Sequence, residues 1–298
     1  MIRVSGKQPR TVEANGSTEC LFRVGTPQLS SNSRRLEQYV NCQGIISKDK
    51  MNKIDVYRKS IDNLEKVIAV FEEELEKPEF MDGAFMYKSP TVKQVCLLKA
   101  VRIISGLNAL LLLLKGGYVT EMGVLMRTIG DCINDIYFLL EHFPDKTPEV
   151  ERYISNFFNE IIEEPEIVEN EKKKVYRTKA RKIHASRARL LSEHMNFPVD
   201  KDMVYRIYSA YSGYVHAAYP NIMELYGGSA PYKFHLRGMK GTPRIRDWEA
   251  IFTALIRSAT LVLGYMAEKY DKGDLIQQIR SILDWFEKET THIKKTGI

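Results

Sequence analysis

The chain has 298 residues, enough for one large domain or two ordinary ones. Its hydrophobic share of 44% and charged share of 28% are those of a globular protein with a sizeable core, and they exclude a wholly disordered chain. The formal net charge of +6 permits an anionic partner without demanding one.

Residues 1–50 are rich in Ser, Asn, Gly, Gln and basic side chains and show no sustained period. They read as a flexible N-terminal arm. Helical patterning starts directly after Met51, so a start placed too far upstream would also account for the arm. No apolar stretch follows the basic start, and no secretory signal is expected. Residues 51–298 read as a single helical domain.

Ile54, Tyr57, Ile61, Leu64, Ile68, Phe71 and Leu75 recur at spacings of three and four, the stripe of an amphipathic helix that ends before Pro78. Ser89 as N-cap and Pro90 in the first turn predict the start of a second helix. It is apolar on most sides from Val92 to Leu114 and stops at Gly116-Gly117, so it is expected to be central. Lys93, Lys99 and Arg102 within it favour a buried helix over a membrane span. A third helix is predicted over Thr120–His142, with Leu125, Ile129, Cys132, Ile133, Ile136 and Leu140 on its apolar face. A further helix is predicted over Glu149–Ile162, and an acidic run from Glu160 to Glu171 then meets a basic run from Lys172 to Arg189. Asp200 and Pro220 bound a helix over Lys201–Tyr219. Residues 227–246 read as a loop or short hairpin insertion, and helices over Trp248–Tyr270 and Asp274–Lys288 close the chain. The sum is an all-α, antiparallel multi-helix bundle.

Cys20, Cys42, Cys96 and Cys132 are scattered without a C-x-x-C pair, which points to a reducing, cytoplasmic compartment. Motifs for phosphate-cradling loops, the H-x-x-x-H metal pair and the G-x-S-x-G elbow are absent from the sequence, and E-x-x-H occurs once, at Glu289–His292, without the second copy that a di-iron bundle needs. No metal or cofactor is therefore expected.

Three polar groupings remain. Arg127, Asp131 and Asn134 share one stripe of the third helix. They could hold a substrate or form a surface ion pair. Tyr205, Tyr208, Ser212, His216 and Tyr219 share a stripe of the later helix, where His216 is suited to proton transfer near neutral pH or to a structural hydrogen bond. Lys174, Arg177, Arg181 and Lys182 in the basic run could contact nucleic-acid phosphates or form a solvated face.

The segment from Gly117 through Tyr118, Arg127 and Asp131, with Ser212 and His216 later, resembles an uncharacterised bacterial helical family, domain of unknown function 5677. Asp131 stands where that pattern usually has Glu. The family is similar in layout to the HEPN group (higher eukaryotes and prokaryotes nucleotide-binding domains), many of which are metal-independent ribonucleases of defence and toxin systems. Their hallmark is R-x(4–6)-H. Arg177 to His184, Arg187 to His194 and Arg189 to His194 have that spacing, within an Arg-rich run where it arises by chance. Arg127 with His216, brought together in space, is the pair the sequence favours.

The resulting expectation is a polar site in which Arg127, Asp131 and His216 are catalytic and Tyr205, Tyr208, Ser212 and Asn134 bind substrate. RNA or another anionic partner is the expected ligand, with no membrane and a possible homodimer. The alternative is a non-catalytic interaction module in which the same residues tie helices together.

Overall fold

The computed structural model describes residues 51–81, 83–89, 91–159, 180–195, 199–227 and 231–296. The N-terminal arm lies outside the described residues. The described residues belong to one compact unit, Lys50–Ile298, and form a multi-helix bundle with two small antiparallel hairpins.

Helix α1, Lys53–Glu73, is capped by Asn52, whose side chain accepts from the Asp55 backbone N–H at 3.0 Å. Its single stripe, including Tyr57, Ile61, Leu64 and Phe71, is buried. A hairpin that the sequence reading did not anticipate follows, β1 (Glu79–Met81) paired with β2 (Ala84–Met86). Phe80 and Phe85 are cross-strand partners on it, with ring centroids 5.2 Å apart.

Helix α2, Val92–Gly116, is capped by Thr91 and not by Ser89 as expected. The physical reason is a capping box: the Gln94 backbone N–H donates to Thr91 Oγ1, and the Thr91 backbone N–H donates to Gln94 Oε1. Gly117, at φ 77, ends the helix in the left-handed conformation that favours glycine. Helix α3, Val119–Leu140, packs antiparallel to it, and α4 covers Pro148–Asn159. Helix α5, Ala180–Met195, precedes α6, Lys201–Val215, and the one-turn α7, Tyr219–Met223. Strands β3 (Tyr226–Gly227) and β4 (Lys233–Phe234) form the hairpin expected in this region. Helices α8, Arg244–Lys269, and α9, Gly273–Thr296, complete the bundle.

Helix α6 is shorter than expected. It ends at Val215, where His216 is its C-cap, because Ala217 turns into positive φ (49°) and Pro220 falls in the first turn of α7.

The core is one continuous cluster drawn from α1, α2, α3, α8 and α9, with Trp248, Phe252 and Phe286 among its largest members. By length and composition α2 and α8 could cross a bilayer, but here α2 packs against α1, α3 and α8. Helix α3 buries at least as much of its length as α2. Its polar side is covered by α5 and α6 while its apolar side meets α2 and α8. A polar stripe roofed by two more helices is what creates an interior site.

Candidate functional site

Helix α6 packs closely on α3 at Gly123, where an added Cβ would fall 2.3 Å from the Tyr214 ring. That approach brings Tyr208 of α6 over Arg127 of α3, one turn further along. The guanidinium carbon of Arg127 lies 3.5 Å from the Tyr208 ring centroid, a cation–π contact. Arg127 also forms the expected ion pair with Asp131.

These residues line a cleft of about 520 Å³ between α2, α3, α4, α5 and α6. Lys99 of α2 pairs with Asp135 of α3 at 2.9 Å. The Tyr153 hydroxyl of α4 hydrogen-bonds to the same carboxylate, and burial together with this carboxylate pushes its pKa far above the ordinary phenol value. Asn134 is buried and accepts from Arg187 of α5 at 2.8 Å. The cleft thus carries the cations Lys99 and Arg127 against the carboxylates of Asp131 and Asp135, with Arg187 held behind its wall by Asn134.

The histidine of this site is His184, on α5, one turn before Arg187. It is only 3% exposed, and its Nδ1 is buried with no hydrogen-bond partner among the described residues. Its ring centroid is 4.7 Å from that of Tyr208 and 6.1 Å from that of Tyr205. Burial, and next the positive charges of Arg127 and Arg187, hold its pKa below the ordinary histidine value, with Asp135 opposing. His184 is therefore neutral at pH 7. Burial likewise lowers the pKa of Arg187, and it raises that of Asp131 against the pull of Arg127. Burial pushes the Cys132 thiol, at the cleft wall, up to about 11, so it is not a thiolate at neutral pH.

The structure brings together Arg127, Asp131, Asn134 and Tyr208, with Tyr205 at the ring stack beside His184. It does not bring His216 to Arg127. His216 is exposed at the end of α6, its backbone N–H donating to the Ser212 carbonyl at 3.2 Å, and neither residue lines the cleft. The register of the two helices accounts for the difference, because Arg127 lies against Tyr208, about 12 Å along α6 from His216 at 1.5 Å per residue. Arg181 and Lys182 are exposed at the start of α5, where Lys182 pairs with Glu149 at 2.8 Å. Lys174 and Arg177 lie outside the described residues.

Sequence reasoning missed Lys99, Asp135 and Tyr153 as members of the site, and it set aside, as chance matches in an Arg-rich run, His184 and Arg187. The signal for the last two was present: they fall on the same side of α5 as Ile183, Ala188 and Leu191, and a histidine and an arginine on an apolar stripe must be buried. Among the described residues, no three His, Cys, Asp or Glu side chains converge as a metal donor set. The chain matches no protein-family model, no curated protein and no solved structure.

Proposed function

We propose that the cleft binds a phosphodiester of RNA and cleaves it without a metal ion. The observation that carries this reading is the enclosed, unpartnered Nδ1 of neutral His184, lining the same cleft as the guanidinium of Arg127. A buried polar atom without a partner in a cleft calls for a ligand. With its proton on Nε2, His184 offers a lone pair at Nδ1. That lone pair takes the proton of the ribose 2′-hydroxyl as the 2′ oxygen bonds to the adjacent phosphorus. The bond from phosphorus to the 5′ oxygen breaks, and the leaving oxygen takes a proton from solvent, giving a 2′,3′-cyclic phosphate and a 5′-hydroxyl end. Arg127 stabilises the charge that develops on the phosphoryl oxygens, and Arg187 adds to the positive field. Asp131 positions Arg127, while Tyr208 fixes its plane by stacking. Buried free Cys96 and Cys132 support placement in a reducing compartment.

A second reading has its own support. Arg127 and Lys99 are each already paired with a carboxylate, so the network would serve to tie α2, α3, α4 and α6 together. The two readings separate in one experiment. Arg127→Ala is assayed for cleavage of a mixed RNA pool in the presence of a metal chelator and, in parallel, for thermal unfolding. The cleavage reading predicts a loss of activity of about a hundredfold with the midpoint near that of the wild type. Absence of cleavage by the wild type, with strong destabilisation of the variant, would leave the structural reading.

A further inference from the structure

We infer that the β3–β4 hairpin and the strap that follows it form a second contact surface, one for single-stranded RNA. On an antiparallel ribbon, alternate residues share a face. Tyr226 lies opposite Phe234, so their two rings share one face of the ribbon, and Tyr232 stands immediately before β4. They are 44%, 47% and 64% exposed for Tyr226, Phe234 and Tyr232 respectively, and the first two pack edge to face at 4.9 Å. Aromatic side chains are ordinarily drawn into a core, and nothing within the described unit covers these.

The charge of the segment is one-sided. From Tyr226 to Arg246 the sequence contains Lys233, Arg237, Lys240, Arg244 and Arg246 and no Asp or Glu. Arg244 is neutralised by Glu224 at 2.9 Å and approaches Asp247. Lys233, Arg237, Lys240 and Arg246 are exposed, with no carboxylate within 4 Å among the described residues. A protein partner of apolar character would meet these charges at a desolvation cost. A polyanion with flat rings matches both features: phosphates to the cations, bases to the aromatic faces.

The surface is also held firmly. The Met239 backbone N–H donates to the Gly117 carbonyl at 2.7 Å, at the turn between α2 and α3. Gly117 and Gly238 meet there so closely that a Cβ on Gly238 would fall 2.3 Å from the Gly116 carbonyl oxygen. The strap is thereby fixed beside the N-terminal end of α3 at Val119, roughly 12 Å along the helix from Arg127 at 1.5 Å per residue. A strand gripped there reaches one end of the helix that carries the cleft.

The inference rests on RNA as the ligand but not on its cleavage, and the test keeps the two apart. Binding of a fluorescently labelled oligouridylate is measured with a His184→Gln chain, in which cleavage plays no part, across a salt series. Tyr232→Ala, and Tyr232→Ala with Phe234→Ala, should weaken binding about tenfold or more. Arg237→Ser with Lys240→Ser should flatten the slope of log K against log salt by about 1.4, two phosphate contacts on a single strand. Tyr232 is 64% exposed and stacks on no ring among the described residues, so the single variant reads binding even if the double one loosens the ribbon; circular dichroism checks each fold. Duplex RNA of equal length should bind more weakly and be indifferent to the aromatic substitutions. Failure of the parent chain to bind, or unchanged affinity and slope in these variants, would overturn the inference. So would a shift in self-association in place of a shift in RNA affinity.

Discussion

The most informative perturbation is at Arg187. Among the described residues its guanidinium makes one hydrogen bond, to Asn134 at 2.8 Å, while Nε is enclosed without a partner. Among the described residues no carboxylate lies within 4 Å of it, in contrast to Lys99, which has Asp135 at 2.9 Å. Withdrawing a charge from water costs several kcal/mol, and a hydrogen bond to a charged group returns about 1.5–3 kcal/mol. The charge is therefore under-compensated, and burial lowers its pKa for that reason. Replacing both partners with apolar residues of similar size, Arg187→Met with Asn134→Leu, should stabilise the fold by about 1–4 kcal/mol. For a unit of this size each kcal/mol moves the midpoint by about 2–4 °C. Asn134→Leu alone strips the guanidinium of its described partner and should cost about 1.5–3 kcal/mol. Thermal unfolding followed by circular dichroism reads all three proteins, and the double variant should lose RNA binding as it gains stability. A double variant that melts well below the wild type would refute the reasoning and make Arg187 a structural tie.

Gly123→Ala should destabilise the chain by about 1 kcal/mol or more despite alanine's higher helix propensity, because its methyl group would meet the Tyr214 ring. Gly130→Ala, with nothing within 4 Å of its Cβ position, should instead gain about 0.5–1 kcal/mol; opposite signs in paired unfolding curves check the claim. His184 has its folded-state pKa held below the unfolded value, so the unfolded state binds more protons as pH falls through that unfolded value, near 6.5. The midpoint should thus drop between pH 7 and pH 5 and be fully recovered above about pH 7, and His184→Gln should flatten that part of the profile.

Local physics made much of the fold readable. The three-and-four spacing from Ile54 to Phe71 marked the buried side of α1, and Gly116-Gly117 marked the end of α2 because only glycine enters the left-handed region without cost. The Arg127–Asp131 pair was readable because residues four apart on a helix are neighbours. The β1–β2 hairpin was hidden because three-residue strands are too short to show an alternating pattern. The end of α6 misled because Pro220 looks like a terminator, whereas the chain leaves the helix earlier through Ala217, which lacks glycine's freedom and gives no warning. His184 was obscured for a different reason. Its neighbours Arg127 and Tyr208 come from other helices, and that juxtaposition depends on how α3, α5 and α6 pack.

In the proposed mechanism proton transfer in the cleft falls to His184 and not to His216. The direct measurement compares wild type, His184→Gln and His216→Gln on a uniformly labelled RNA with chelator present, scoring both cleavage rate and the chemistry of the new ends. The proposed mechanism requires 2′,3′-cyclic phosphate ends from the wild type, a rate lower by about a hundredfold or more in His184→Gln, and little change in His216→Gln. Equal rates for wild type and His184→Gln, or loss of cleavage only in His216→Gln, would contradict it.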